Sequence, residues 1–110
     1  MAISVGNVHL QQDQSGGLDE ACIAEIDAAT VVPLVIHGGS GVPADQRRKL
    51  AKTTSICKFN IGTELRQAFG HALRDAVNKD TSRFDRVQIL KETHDPVTAA
   101  ARIVLQTMKG

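Results

Sequence analysis

Three short apolar runs recur along this chain, each followed by polar residues and then by an amphipathic stretch. Ile3-Ser4-Val5-Gly6-Asn7-Val8 ends in His9. Pro33-Leu34-Val35-Ile36 ends in His37-Gly38-Gly39-Ser40-Gly41. Ile56-Cys57-Lys58-Phe59 runs into Asn60-Ile61-Gly62-Thr63-Glu64. Runs of this length between turn residues predict strands. After the first, a polar loop leads to Leu18, Cys22, Ile26 and Ala29 at helical spacing, which predicts a helix over about 18–29 with these residues inward. Asp19 and Glu20 suit its positively polarised start. Pro33 fits the first residue of a strand, and Pro43 opens a helix over about 44–52, because its fixed φ favours the first turn. A longer helix is expected over about 63–78, with Leu65, Phe69, Leu73 (or Ala72) and Ala76 on its inner face. Residues 80–83 read as a loop, and 84–92 is ambiguous, admitting a short helix that packs Val87 and Leu90. Asp95-Pro96 predicts an N-cap and first-turn proline. That pair would open a last helix to about 107, burying Val97, Ala100 (or Ala101), Val104 and Met108.

The order is β-α-β-α-β-α-α. Continuous apolar strands are those of parallel sheets covered on both faces, and alternating strands and helices give that arrangement. The ends of successive strands, at His9, His37 and Asn60, lie 28 and then 23 residues apart, the size of a βα unit. Three such units cannot close an eight-stranded barrel, which needs about 250 residues. The chain is therefore either a small open sheet or the C-terminal part of a TIM (β/α)8 barrel. A first strand that starts with the chain favours the barrel. So does the gathering of polar residues at the C-terminal strand ends, where such barrels keep their active sites. On that reading residues 1–110 are a partial barrel domain, with a sheet edge exposed at the first strand.

Composition narrows the function. Apolar residues make up 42% of the 110, enough for a core. A net charge of +1 gives no electrostatic reason to expect nucleic acid or an anionic membrane. Three Phe with no Trp or Tyr leave no stacking platform for single strands. Arg47-Arg48-Lys49 reads as a solvated helix face. Cys22, on an apolar helix face, and Cys57, within a strand, read as small buried hydrophobes without disulfide or CxxC spacing, which fits a reducing cytoplasm. No apolar run reaches membrane-spanning length, and nothing directs the chain out of the cytoplasm.

The chemistry sits at the strand ends. One histidine is ordinarily a hydrogen-bonded structural residue, but His9 and His37 hold matched positions on neighbouring strands and can share a metal. A catalytic zinc site takes three protein ligands and an open position. Only these two candidates stand at strand ends, since His71 falls in a helix and His94 in a loop. Gly38-Gly39-Ser40-Gly41 can bring backbone N–H groups and a hydroxyl to an anion, although such a loop can equally be a flexible turn. Thr63 and Glu64 open a helix whose free N–H groups can bind anions. Asn60 can hydrogen-bond a substrate oxygen, or simply cap its strand. Two alternatives fail: there is no G-x-S-x-G nucleophile elbow and no G-x-x-x-x-G-K-[ST]. Phosphate on two adjacent loops beside metal-ligand histidines suggests a phosphorylated metabolite.

Gly6-Asn7-Val8-His9, Pro33 through Pro43 and Lys58-Phe59-Asn60-Ile61-Gly62-Thr63-Glu64-Leu65-Arg66 together resemble the class II, zinc-dependent fructose-/tagatose-bisphosphate aldolases, in that family's order and spacing. The resemblance covers residues 1 to about 95. It implies a TIM barrel that cleaves a ketose 1,6-bisphosphate, or a related ketose phosphate, to dihydroxyacetone phosphate and an aldehyde. His9 and His37 resemble two of three zinc ligands, and Zn2+ would polarise the ketose carbonyl as a Lewis acid. Gly38, Gly39 and Ser40 resemble a phosphate loop whose backbone also helps hold a monovalent cation, K+ or Na+. Asn60 resembles the residue contacting the dihydroxyacetone phosphate portion, and Gly62 and Thr63 a second phosphate-binding turn. The full-length form is expected to be a homo-oligomer. Leu10 stands where the family usually has glycine. The family's first zinc-ligand histidine and its adjacent acid/base aspartate have no counterpart here, so the isolated chain is expected to be inactive. The rival from another class is a non-catalytic fragment or phosphate-binding module.

Overall fold

The computed structural model describes residues 1–6 and 17–109. Three parallel strands, β1 (Ala2–Ile3), β2 (Leu34–Ile36) and β3 (Ile56–Phe59), form one sheet in the order β1-β2-β3. Each strand lies parallel beside the one before it, the usual arrangement of consecutive strands joined by helices. Helices α1 (Glu20–Ala29) and α2 (Ala44–Thr53) are the crossovers, and α3 (Thr63–Lys79) and α4 (Arg86–Met108) follow. The expected order of elements is thus met, with Asp19 as the N-cap of α1, its carboxylate accepting from the Cys22 N–H. Pro43 stands one residue earlier than expected, as the N-cap of α2.

One face of the sheet carries the core. Ile3, Val5, Leu34, Ile36 and Ile56 pack with Leu18, Ile23, Val42 and Leu50, all buried. Ile23 is the fully buried residue of α1, whereas Cys22 and Ile26 are only partly covered. Lys49 and Gln46 of α2 both hold Glu20 of α1, so the two helices are tied together over that face. The Lys49 ammonium and the Gln46 amide hold the Glu20 carboxyl below its usual range.

The other face of the sheet carries no buried side chain among its described residues. Val35 is half-buried, and Cys57 and Lys58 are exposed. Two expectations are corrected here: the strands are covered on one face, not both, and Cys57 is not buried. The reason lies partly in the register. Leu34 pairs with Ile56 but Val35 pairs with Lys58, so Cys57 is the extra residue of a β-bulge. A bulge resets the in-out alternation of its strand. Ile56 faces the core, Lys58 shares the open face with Val35, and Phe59 returns to pack against the core.

The last third of the chain departs most from expectation. Residues 86–108 form one helix, and its N-cap is Asp85, which accepts from the Val87 N–H. Asp95 is exposed within the helix and Pro96 follows it, so Asp95-Pro96 is not a helix start. An interior proline costs about 3 kcal/mol. Thr93, Val97, Ala100 and Val104 form a continuous half-buried or buried stripe across it, and burial of that stripe offsets the local cost. Val87 and Leu90, expected to pack, stay exposed. On α3, Ala76 is buried, Leu65, Ala72 and Leu73 are half-buried, and Phe69 is exposed. Glu92 of α4 pairs with Arg83 and Lys79, and the Arg83 guanidinium in particular holds its carboxyl below the usual range. Packing of α3 along α4 makes the molecule long, 59 × 23 × 21 Å with a radius of gyration of 17.1 Å. A compact chain of this length has about 13 Å. No helix of the described residues is long and apolar enough to cross a membrane.

Candidate active-face cavity

At the C-terminal end of the sheet, the loop after β2 and the loop after β3 meet side by side. The Asn60 N–H donates to Ile36 O (2.9 Å) and the Gly39 N–H to Asn60 O (2.9 Å), which carries the β2–β3 pairing into the loops. Gly39 is buried in this contact, where a Cβ would lie 3.1 Å from Ile61 Cδ1 and 3.3 Å from Asn60 O. A larger residue would push the loops apart. Gly41 adopts φ 82°, a left-handed conformation that favours glycine. Its N–H donates to Glu64 Oε1 at 3.3 Å.

Ser40 joins the loops from the other side. Its buried hydroxyl oxygen accepts from the N–H groups of Gly62 (3.1 Å), Thr63 (3.1 Å) and Glu64 (3.4 Å). The N-cap of α3 is Gly62, which has no side chain, so Ser40 caps this helix from a different loop. The amides at the start of α3 are therefore not free, unlike the sequence expectation. Glu64 is held in turn by Arg47 of α2, whose Nη1 lies 3.1 Å from Glu64 Oε1. Arg47 is only 2% exposed, which corrects its reading as part of a solvated face.

These contacts wall a cavity of about 390 Å³, lined by His37, Gly38, Ser40, Asn60, Gly62 and Thr63 together with Lys58, Phe59, Ile61 and Arg66. The structure thus brings together His37, both predicted loops and Asn60. His37 is exposed at the end of β2. His9 and Leu10 fall outside the described residues. His71 and His94 lie in α3 and α4, away from the cavity lining. Among the described residues no three His, Cys, Asp or Glu side chains stand close enough to hold a metal ion. Sequence reasoning missed three contributors: Arg47, Lys58 and Arg66. The signal for the last two was present, as cations bracketing Asn60-Ile61-Gly62-Thr63.

Similarity to known proteins agrees with this geometry. The family model for class-II fructose-bisphosphate aldolase matches residues 1–109. A fructose-bisphosphate aldolase from Mycoplasma genitalium is 37% identical over 99 residues, covering 84% of this chain and 34% of the relative. A 6-phospho-5-dehydro-2-deoxy-D-gluconate aldolase from Halalkalibacterium halodurans is 39% identical over 87 residues, covering 77% and 29%. Among solved structures, the YdjI aldolase from Escherichia coli K12 superimposes with a TM-score of 0.71 at 26% identity, over 97% of this chain and 37% of that one. The chain belongs to the class II fructose-bisphosphate aldolase family. It spans about a third of the length of the relatives it matches.

Proposed function

We propose that this chain forms the phosphate-binding part of the active face of a zinc-dependent ketose-bisphosphate aldolase, as the C-terminal portion of a (β/α)8 barrel. The carrying observation is that two loops from successive parallel strands are latched around one cavity, with His37 and Asn60 on its wall. The open face of the sheet supports the barrel, because inward side chains such as Val35 and Lys58 would face the barrel interior rather than solvent. The relatives named above differ in substrate but are both named as aldolases of phosphorylated compounds. That favours cleavage of a ketose 1,6-bisphosphate, or a related ketose phosphate, to dihydroxyacetone phosphate and an aldehyde.

The donor set fits zinc in part. His37 offers an imidazole at the cavity rim, and His9 would be the second ligand from the neighbouring strand. A third ligand and the acid/base carboxylate would come from elements beyond this third of a barrel. Zinc, when bound, supplies Lewis acidity toward the carbonyl. The chain's own residues bind and orient. Asn60 offers its amide to the dihydroxyacetone phosphate portion, whereas Gly38, Ser40, Gly62 and Thr63 shape the wall against its phosphate, with Gly39 buried behind them. Held in this way, the bond to be cleaved stays in register with the reacting groups, which is worth more than binding alone.

The test is a chimera in which residues 1–109 replace the matching third of a class II relative. The expected result is cleavage of fructose or tagatose 1,6-bisphosphate that is lost on chelation. Loss of an outer-shell partner costs a metal site about 10–100-fold. Removing the ligand itself, in His37→Ala, should cost at least the upper end of that range. A folded chimera that cleaves no ketose phosphate would overturn the reading.

A further inference from the structure

We infer that Arg47 is a positioning residue for the active face: acting through Glu64, it fixes the loop that runs from His37 to Gly41. The inference rests on the reading that this loop bounds an active site. It concerns a side chain behind the cavity, outside its lining.

The loop needs an outside restraint. It carries a left-handed φ at Gly38 (61°) and again at Gly41 (82°), a conformation that glycine leaves free to vary. Its first end is tied to β3, since Ile36 O accepts the Asn60 N–H and the Gly39 N–H donates to Asn60 O. Its far end is tied through the Gly41 N–H, which donates to Glu64 Oε1 at 3.3 Å. The same oxygen accepts from Arg47 Nη1 at 3.1 Å. Arg47 stands in the first turn of α2, directly after the loop. One carboxylate oxygen therefore joins α2, the β2 loop and the start of α3.

Stability alone gives a poor reason for a charge at this place. Of the buried polar residues Ser40, Arg47 and Thr93, Arg47 is the one that carries a charge. Its Nε is buried and, among the described residues, has no hydrogen-bond partner. An unmet buried donor is costly. A buried ion pair replaced by well-packed apolar side chains of similar volume is often as stable or more so. What the guanidinium supplies, and an apolar side chain cannot, is direction. It holds the Glu64 carboxylate in one orientation, and the carboxylate holds the Gly41 N–H by a charge-assisted bond, about twice as strong as a neutral one. Ser40, the next residue back, takes the Glu64 N–H at 3.4 Å. The loop and α3 are thus fixed at two adjacent points. A displacement of about 1 Å caused by a change away from the reacting atoms can cost about 100-fold in rate.

The test is the Arg47→Met/Glu64→Gln variant, which removes both charges and keeps a carbonyl to accept the Gly41 N–H. In the chimeric barrel, at a temperature where the variant is folded, its kcat/KM per folded molecule should fall about tenfold, the scale of one charged hydrogen bond. Arg47→Lys keeps the charge without the planar fork, and should lose less. Val104→Ala, in the buried stripe of α4, should lower the melting temperature and leave kcat/KM unchanged. In the 110-residue chain, amide exchange at Gly39 and Gly41 should quicken in the double variant by about tenfold relative to the amides of α1 and α4. An unchanged kcat/KM in the folded double variant would overturn the inference even with faster exchange, because the pair would then be structural only. Unchanged exchange at Gly41 would also overturn it. Should the double variant not fold, wild-type kcat/KM in Arg47→Lys would do the same. A wild-type chimera that folds but cleaves no ketose phosphate would sink the aldolase reading, and exchange at Gly41 would then decide the positioning by itself.

Discussion

Arg47→Ala is expected to destabilise the chain by about 2–4 kcal/mol, more than any surface substitution should. Its guanidinium is 2% exposed and its partner Glu64 26%. Removing one member of a buried pair typically costs 3–5 kcal/mol, because the other charge loses its compensation. The solvent access of Glu64 places the expected loss toward or below the lower end of that range. The consequence extends beyond the pair, since Glu64 Oε1 also accepts the Gly41 N–H and Glu64 sits in the turn that Ser40 caps. Glu64→Ala should be at least as severe, because it leaves the more deeply buried charge alone. The Arg47→Met/Glu64→Gln double variant should recover part of the loss, and a double-mutant cycle in urea should return a coupling of about 1 kcal/mol or more. A change within about 0.5 kcal/mol on Arg47→Ala, the range of ordinary surface sites, would show that the latch carries no stability.

Ile36→Ala should be comparably costly by a different route. Ile36 is fully buried in the centre of the core, on the middle strand. Truncation of such a side chain costs about 2–5 kcal/mol, from lost transfer free energy and the cavity left behind. The backbone of the same residue accepts the Asn60 N–H, and the next residue is His37. Loss of packing there should therefore loosen the geometry of the cavity as well as lower the urea midpoint. Val35→Ala, on the open face of the same strand, should cost much less. Equal losses at 35 and 36 would contradict the one-sided core.

The elements legible in the sequence were those whose local and tertiary preferences agree. Leu34–Ile36 and Ile56–Phe59 are short, apolar and bounded by turn residues, and both are strands. The two loops that end them meet at one cavity, as their matched positions implied. Four features were not legible, each for a physical reason. Asp95-Pro96 carries the local chemistry of a helix start, yet the buried stripe through Thr93 and Val104 keeps the helix running. Arg47 stands in a run of cations that suits a solvated face. Only the position of Glu64, 17 residues on, shows that this one cation turns inward. The bulge at Cys57 depends on the register against β2, which no property of the run Ile56-Cys57-Lys58-Phe59 records. The capping of α3 by Ser40 likewise joins residues more than 20 apart.

The chemistry proposed here needs a third metal ligand and an acid/base carboxylate, and among the described residues the cavity lining holds neither. The most direct measurement is release of dihydroxyacetone phosphate from fructose 1,6-bisphosphate with Zn2+ present. It would compare the 110-residue chain alone with the same chain mixed with the complementary two-thirds of a class II relative. The expected result is no turnover by the chain alone and chelator-sensitive turnover by the mixture, abolished by His37→Ala. Turnover by the isolated chain that His37→Ala removes would contradict it, because the site would then be complete within these residues.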